Sequence, residues 1–145
     1  YAVNQRARFT HCPRDSHASG VKRILRYLQG TKDKGMLLSP SNSLQVDCYV
    51  DADFAGLWGA EYEQEDPICV KSRTGYMLTF MSCPLLWVSK LQTQIALSTM
   101  EAEYIALSTA MRDLIAIREI LKEVKTFLFC EFPSPVIVES NTADI

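Results

Sequence analysis

Gln45-Val46-Asp47-Cys48-Tyr49-Val50, running into Asp51-Ala52-Asp53, is the stretch that decides the fold. Residues alternate from Gln45 to Val50 with the period of a short strand, and that strand ends on the acidic triplet. Ahead of it, Ser39-Pro40-Ser41-Asn42-Ser43 is turn-rich and offers nothing to bury, so a boundary falls there. Behind it, a loop from Gly56 to Pro67 holds four carboxylates, and two strand candidates follow, Gly75 to Met81 and Leu85 to Ser89, separated by Ser82-Cys83-Pro84. From Thr99 to about Lys125 the period becomes helical, with Ile105, Ser108, Met111 and Ile115 beside Leu107, Leu114 and Leu121. Phe132-Pro133-Ser134-Pro135 breaks the chain, and Val136-Ile137-Val138 reads as a buried strand. Three strands, a long helix and a fourth strand imply an α/β fold. Its mixed sheet would be an antiparallel meander extended by a parallel strand after the helical crossover.

The first 43 residues form a helical arm, leaving 44–145 as the main domain. In the arm, Asp15 or Ser16 can cap a helix running to about Gln29, with Val21, Ile24, Leu25 and Leu28 on one side and Gly30 as its stop. Lys22, Arg23 and Arg26 fall largely on the other side. Net charge is only -2, but its distribution is polar: residues 1–50 carry eight Lys/Arg against three Asp/Glu, and residues 51–145 carry seven against fourteen. Phosphates need cations and metals need carboxylates, so a basic arm before an acidic body suits both; a plain solvated surface would carry the same charges. The five cysteines (Cys12, Cys48, Cys69, Cys83, Cys130) are odd in number and lack any CxxC pair, which points to reduced thiols and an intracellular setting. No stretch approaches the roughly 20 apolar residues needed to span a bilayer, so no membrane partner is expected. A start at Tyr1 rather than Met is what a piece of a larger translation product would show, and processing would leave the same start.

Three carboxylates could carry chemistry. Asp51, at a strand end, is rigidly placed to ligate metal or, alternatively, to bond nearby turn amides. Glu101 stands at the positive end of the long helix. Ser98-Thr99-Met100-Glu101 also spells a capping box, in which Glu101 would only return a hydrogen bond to the backbone. Glu103 projects from a different face and is expected in solvent. Glu139 closes the last strand as Asp51 closes the first. Convergence of Asp51, Glu101 and Glu139 would hold two Mg2+ ions about 4 Å apart, the arrangement for in-line phosphoryl transfer. His11, Cys12 and His17 lack zinc-site spacing, and no phosphate loop is present. Trp58, Trp87 and Tyr76 are stacking candidates, although aromatic residues in strands are usually core.

Four blocks then carry a resemblance: Tyr49-Val50-Asp51-Ala52-Asp53-Phe54-Ala55-Gly56, Lys71-Ser72-Arg73-Thr74-Gly75-Tyr76, Trp87-Val88-Ser89-Lys90-Leu91-Gln92, and Ala96-Leu97-Ser98-Thr99-Met100-Glu101-Ala102-Glu103-Tyr104-Ile105-Ala106-Leu107. In this order they resemble the ribonuclease H domain of copia-type retrotransposons. Upstream, Tyr1-Ala2-Val3-Asn4-Gln5 and Lys22-Arg23-Ile24-Leu25-Arg26-Tyr27-Leu28-Gln29-Gly30-Thr31 resemble the segment joining that family's reverse transcriptase to its ribonuclease H. The resemblance implies a ribonuclease H-like fold, incomplete at its C-terminus, that cleaves RNA in RNA/DNA hybrids with Mg2+, or Mn2+ in its place. It implies Asp51 and Glu101 as first and second acids. Hybrid would lie against Lys22, Arg23, Arg26, Ser98 and Thr99; the other partner would be the rest of the reverse transcriptase polyprotein, in the cytoplasm or a virus-like particle. At the third acid the family has Asp-Asn, whereas this chain has Glu139-Ser140, a longer ligand that Mg2+ tolerates poorly. The fourth acid would fall after Ile145. These departures point to reduced or lost activity, and to a second reading as a non-catalytic nucleic-acid-binding or connection module, a decayed remnant. A related integrase or transposase fits the Lys71 and Trp87 blocks less well.

Overall fold

The computed structural model describes residues 1–56, 67–128 and 136–140, the last five by backbone alone. Trp58, most of the acidic loop, Cys130, the Pro133 break and Asn141–Ala143 lie outside the described residues. The chain divides into two compact units, Tyr1–Leu37 and Leu38–Ile145.

The first unit is a pair of helices, α1 (Ala2–Ala7) and α2 (Asp15–Thr31). The cap of α2 is neither Asp15 nor Ser16: the imidazole of His17 reaches back, its Nδ1 accepting the Arg14 N–H at 3.1 Å. His17 is buried and stacks on Phe9, with ring centroids 4.2 Å apart. Gly30 does not stop the helix, which continues to Thr31, whose hydroxyl donates to the Tyr27 carbonyl one turn back. A Cβ at Gly20, where α1 and α2 meet, would displace the Arg6 guanidinium, the mobile end of a long side chain. Two short helices cannot enclose a core. The apolar side of α2 accordingly stays open, with Leu25 59% exposed and Val21 and Leu28 exposed beside it.

The second unit is built on β1 (Val46–Asp53), β2 (Arg73–Phe80), β3 (Cys83–Leu91) and α3 (Thr99–Leu128), with a 3-10 turn at Pro67–Val70 ahead of β2. The three strands form an antiparallel sheet, with Asp51 opposite Gly75 and Tyr76 opposite Val88. Residues Val136–Ser140 form β4, recorded on the free edge of β1 in parallel register, from Val46 opposite Val136 to Val50 opposite Ser140. β1 outruns its sequence pattern by three residues, so Asp51 sits inside the strand rather than at its end. The β2–β3 turn is two residues, Met81 and Ser82, both at positive φ as a type I′ hairpin requires. Ahead of the main strand, Ser39–Ser43 is no free linker: the Ser41 N–H donates to the Met81 carbonyl at 2.8 Å.

Packing of α3 on the sheet differs from the expected stripe of large residues. The fully buried positions are Ala102, Ala106, Ala110 and Leu114, four residues apart, against Val46, Cys48, Val50, Ala52, Tyr76 and Leu78. Alanines let the helix backbone come close to the pleated surface. The bulkier Ile105, Leu107, Met111 and Leu121 flank that line half-buried, while Ser108 and Ile115 are exposed.

Candidate active site

Alternation along β1 sends Val46, Cys48, Val50 and Ala52 into the core and leaves Tyr49, Asp51 and Asp53 exposed. Burial pushes the Cys48 thiol up, which suits an inert core residue and not a nucleophile. Past Asp53 the chain turns sharply through Ala55 at φ 45°, held by its N–H donating to Ser72 Oγ at 3.2 Å. A Cβ at Gly56 would meet the Asp53 carboxylate, which is exposed and would have to turn aside.

The pairing of β1 with β4 ends at Val50. Two residues further, the Ala52 N–H donates instead to Glu103 Oε1 at 3.3 Å. Glu103 is half-buried rather than in solvent, and its Oε2 is buried with no hydrogen-bond partner among the described residues. Burial raises its pKa, the Ala52 hydrogen bond partly offsets this, and the negative charge of Asp51 raises it further. Glu103 therefore keeps one buried, unused oxygen near the strand that carries Asp51, and a hard cation would relieve that oxygen.

Glu101 is engaged differently. Its Oε2 accepts the Leu97 N–H at 2.7 Å, and its own N–H donates to Ser98 Oγ at 3.1 Å. This is a reciprocal cap at the exposed mouth of α3, shifted one residue from the usual capping box. Of the sequence candidates, then, Asp51 has an acidic neighbour in Glu103, and the contacts of Glu101 are local. Glu139 occupies the β4 position opposite Tyr49, and its side chain lies outside the described residues. Among the described residues no group of three or more His, Cys, Asp and Glu is placed to hold a metal.

Lys22, Arg23 and Arg26 are all exposed on α2, as are Ser98 and Thr99 at the start of α3. Tyr76 is buried and donates its hydroxyl to Asp113; burial first, then that bond, push its pKa upward. Trp87, by contrast, is 64% exposed on β3. Four of the five cysteines are described and all four are free thiols. No helix among the described residues is long and apolar enough to cross a membrane.

Glu103 is the residue that sequence reasoning passed over. The available signal was Ala102: a spacing of four through Ala106, Ala110 and Leu114 marks the sheet-facing side of α3, and Glu103 adjoins it.

Several known proteins are similar to this chain. The chain is 36% identical over 124 residues to the "Retrovirus-related Pol polyprotein from transposon RE2" of Arabidopsis thaliana, covering 86% of this chain and 8% of that protein. It is 35% identical over 147 residues to the Pol polyprotein from transposon TNT 1-94 of Nicotiana tabacum, covering 98% of this chain and 10% of that protein. The "Secreted RxLR effector protein 161" of Plasmopara viticola is 33% identical over 114 residues, 79% of this chain and 74% of the effector. The chain thus spans about a tenth or less of the polyproteins it matches. No family profile matches it, and neither does any solved structure.

Proposed function

Because the chain is similar to retrovirus-related Pol polyproteins from transposons, we propose that it is the ribonuclease H segment of a copia-type polyprotein, cleaving RNA in RNA/DNA hybrids. The observation that carries this reading is the Glu103 carboxylate held on the Ala52 N–H, one residue along β1 from Asp51, with one oxygen buried and unpartnered. The mixed strand order β3-β2-β1-β4, with α3 packed on β1 and β2, supports a ribonuclease H-like fold. In this assignment residues 1–43 are the connection from the reverse transcriptase and 44–145 belong to the nuclease domain.

The acids that hold divalent metal are Asp51 and Glu103, with Glu101 released to its cap, and Glu139 takes the third position. A divalent metal held by these carboxylates would supply an activated water and stabilisation of the leaving oxygen. The protein's own work is to hold the carboxylates: the Ala52 N–H orients Glu103, and the rigid pleat of β1 aims Asp51. Lys22, Arg23 and Arg26 provide exposed cations for phosphate, and Ser98 and Thr99 provide hydroxyls at the helix mouth. The direct test is cleavage of a labelled RNA/DNA hybrid with Mg2+ or Mn2+ by the chain extended into its parent polyprotein. Cleavage lost in Asp51→Asn supports the assignment; no cleavage by the extended chain, or full cleavage by Asp51→Asn, contradicts it.

Glu139 in the family's Asp position favours a second reading, a non-catalytic module that binds hybrid through α2. It predicts binding without cleavage that weakens steeply with salt and in Lys22→Ala/Arg26→Ala.

A further inference from the structure

Gln92, at the end of β3, is 5% exposed. Its backbone N–H donates to the Ser72 carbonyl at 2.9 Å, which closes the strand end. Its side-chain amide does something separate. Nε2 donates to Thr74 Oγ1 at 3.1 Å and to the Ala102 carbonyl at 2.8 Å. A carbonyl can only accept, so the Ala102 contact fixes which end of the amide faces the helix. Oε1 is buried with no hydrogen-bond partner among the described residues. A side chain serving only to fill space would be better apolar here, since a buried orphan acceptor is costly. What the amide adds is two donors.

Those donors complete a circuit. Ala102 precedes Glu103 in the chain; Glu103 Oε1 accepts from the Ala52 N–H; Ala52 is the cross-strand partner of Thr74; and Thr74 accepts from Gln92, which returns to Ala102. From this closed path we infer that Gln92 is a positioning residue for the acid pair, pinning the first turn of α3 to β2 so that Glu103 stays on the Ala52 amide, next to Asp51. The metal-holding role of that pair rests on the function proposed above, whereas the pinning does not.

The test uses Gln92→Met, which keeps length and loses both donors, with two readouts on the whole chain. Amide hydrogen exchange should show Ala52 losing about tenfold or more of its protection beyond any loss shared by Val50 and Leu78. Mn2+ titration should show affinity weakened about 10–100-fold, the usual effect of removing a group that orients a ligand. Loss of protection at Ala52 in step with Val50 and Leu78 would overturn the inference and leave Gln92 a packing residue. Should Gln92→Met fail to fold, Thr74→Val removes only the sheet-side acceptor and should give the same selective loss at Ala52, in smaller measure; its absence counts equally against. A wild-type chain that takes up no Mn2+ would instead sink the metal assignment, with the Ala52 exchange still deciding the role of Gln92.

Discussion

Glu101 and Glu103 stand two residues apart in the first turn of α3, and the two sides of that turn do different work. On the outer side, Glu101 and Ser98 exchange hydrogen bonds with the backbone around the helix mouth and stay exposed. On the inner side, Ala102 is buried, and Glu103 is drawn against β1 by the Ala52 amide, with one oxygen unused. A step of two residues along a helix turns the side chain by roughly 200°, which is enough to put the two carboxylates on different sides of α3. The lesson is that a carboxylate already satisfied by backbone amides has little left to offer a cation, whereas one made uncomfortable by burial and a like-charged neighbour has much to gain.

The inner side exists only while α3 is held to the sheet, and Leu114 is the largest residue of its buried line, 1% exposed. Leu114→Ala should therefore have the largest effect on stability, about 2–5 kcal/mol in denaturant unfolding. A cost below 1 kcal/mol would mean that the alanine line does not anchor the helix. Next, Ser98→Ala should remove the outer cap at a cost of about 1 kcal/mol and leave divalent-cation affinity unchanged. A fall in Mn2+ affinity in that variant would blur the two sides.

The smallest effect is a slope with pH. The folded-state pKa of Glu103 is raised above 4.5, chiefly by burial. Below 4.5 the group is protonated in both states; as pH rises through the raised value, ionising it costs more in the folded chain than in the unfolded one. Metal-free protein should therefore lose this part of its stability on going from acid to neutral pH, and Glu103→Gln should lose less. Equal slopes in chemical denaturation at the two pH values would contradict the inner placement.

Much of the fold was legible because period reports burial: alternation at Gln45–Val50 and helical spacing after Thr99 each mark an element whose core lies in the second unit. Strand ends were not legible, because β1 continues through Asp51-Ala52-Asp53, where polar residues alternate with a single buried alanine. The helix face was read in part: Leu114 is buried and Ile105, Leu107, Met111 and Leu121 pack beside it, but Ser108 and Ile115 are exposed, and the alanines between them, whose small size permits the close approach, carried no weight. In α2 the apolar period was visible, yet with only α1 in its unit it buries almost nothing there. The site was half legible. Asp51 stands out by position, whereas the choice between Glu101 and Glu103 depends on which amides lie within reach, and Ala52 and Leu97 are brought there by folding rather than by spacing. Gln92 carries no sequence signal at all beyond its place in a block, since its partners come from β2 and α3.

The most direct measurement is a calorimetric titration of Mn2+ into Glu103→Gln and Glu101→Gln beside the wild-type chain. An inner carboxylate that holds the cation predicts affinity weakened by more than about tenfold in Glu103→Gln and wild-type affinity in Glu101→Gln. The reverse order, with Glu101→Gln losing the cation and Glu103→Gln keeping it, would contradict the account.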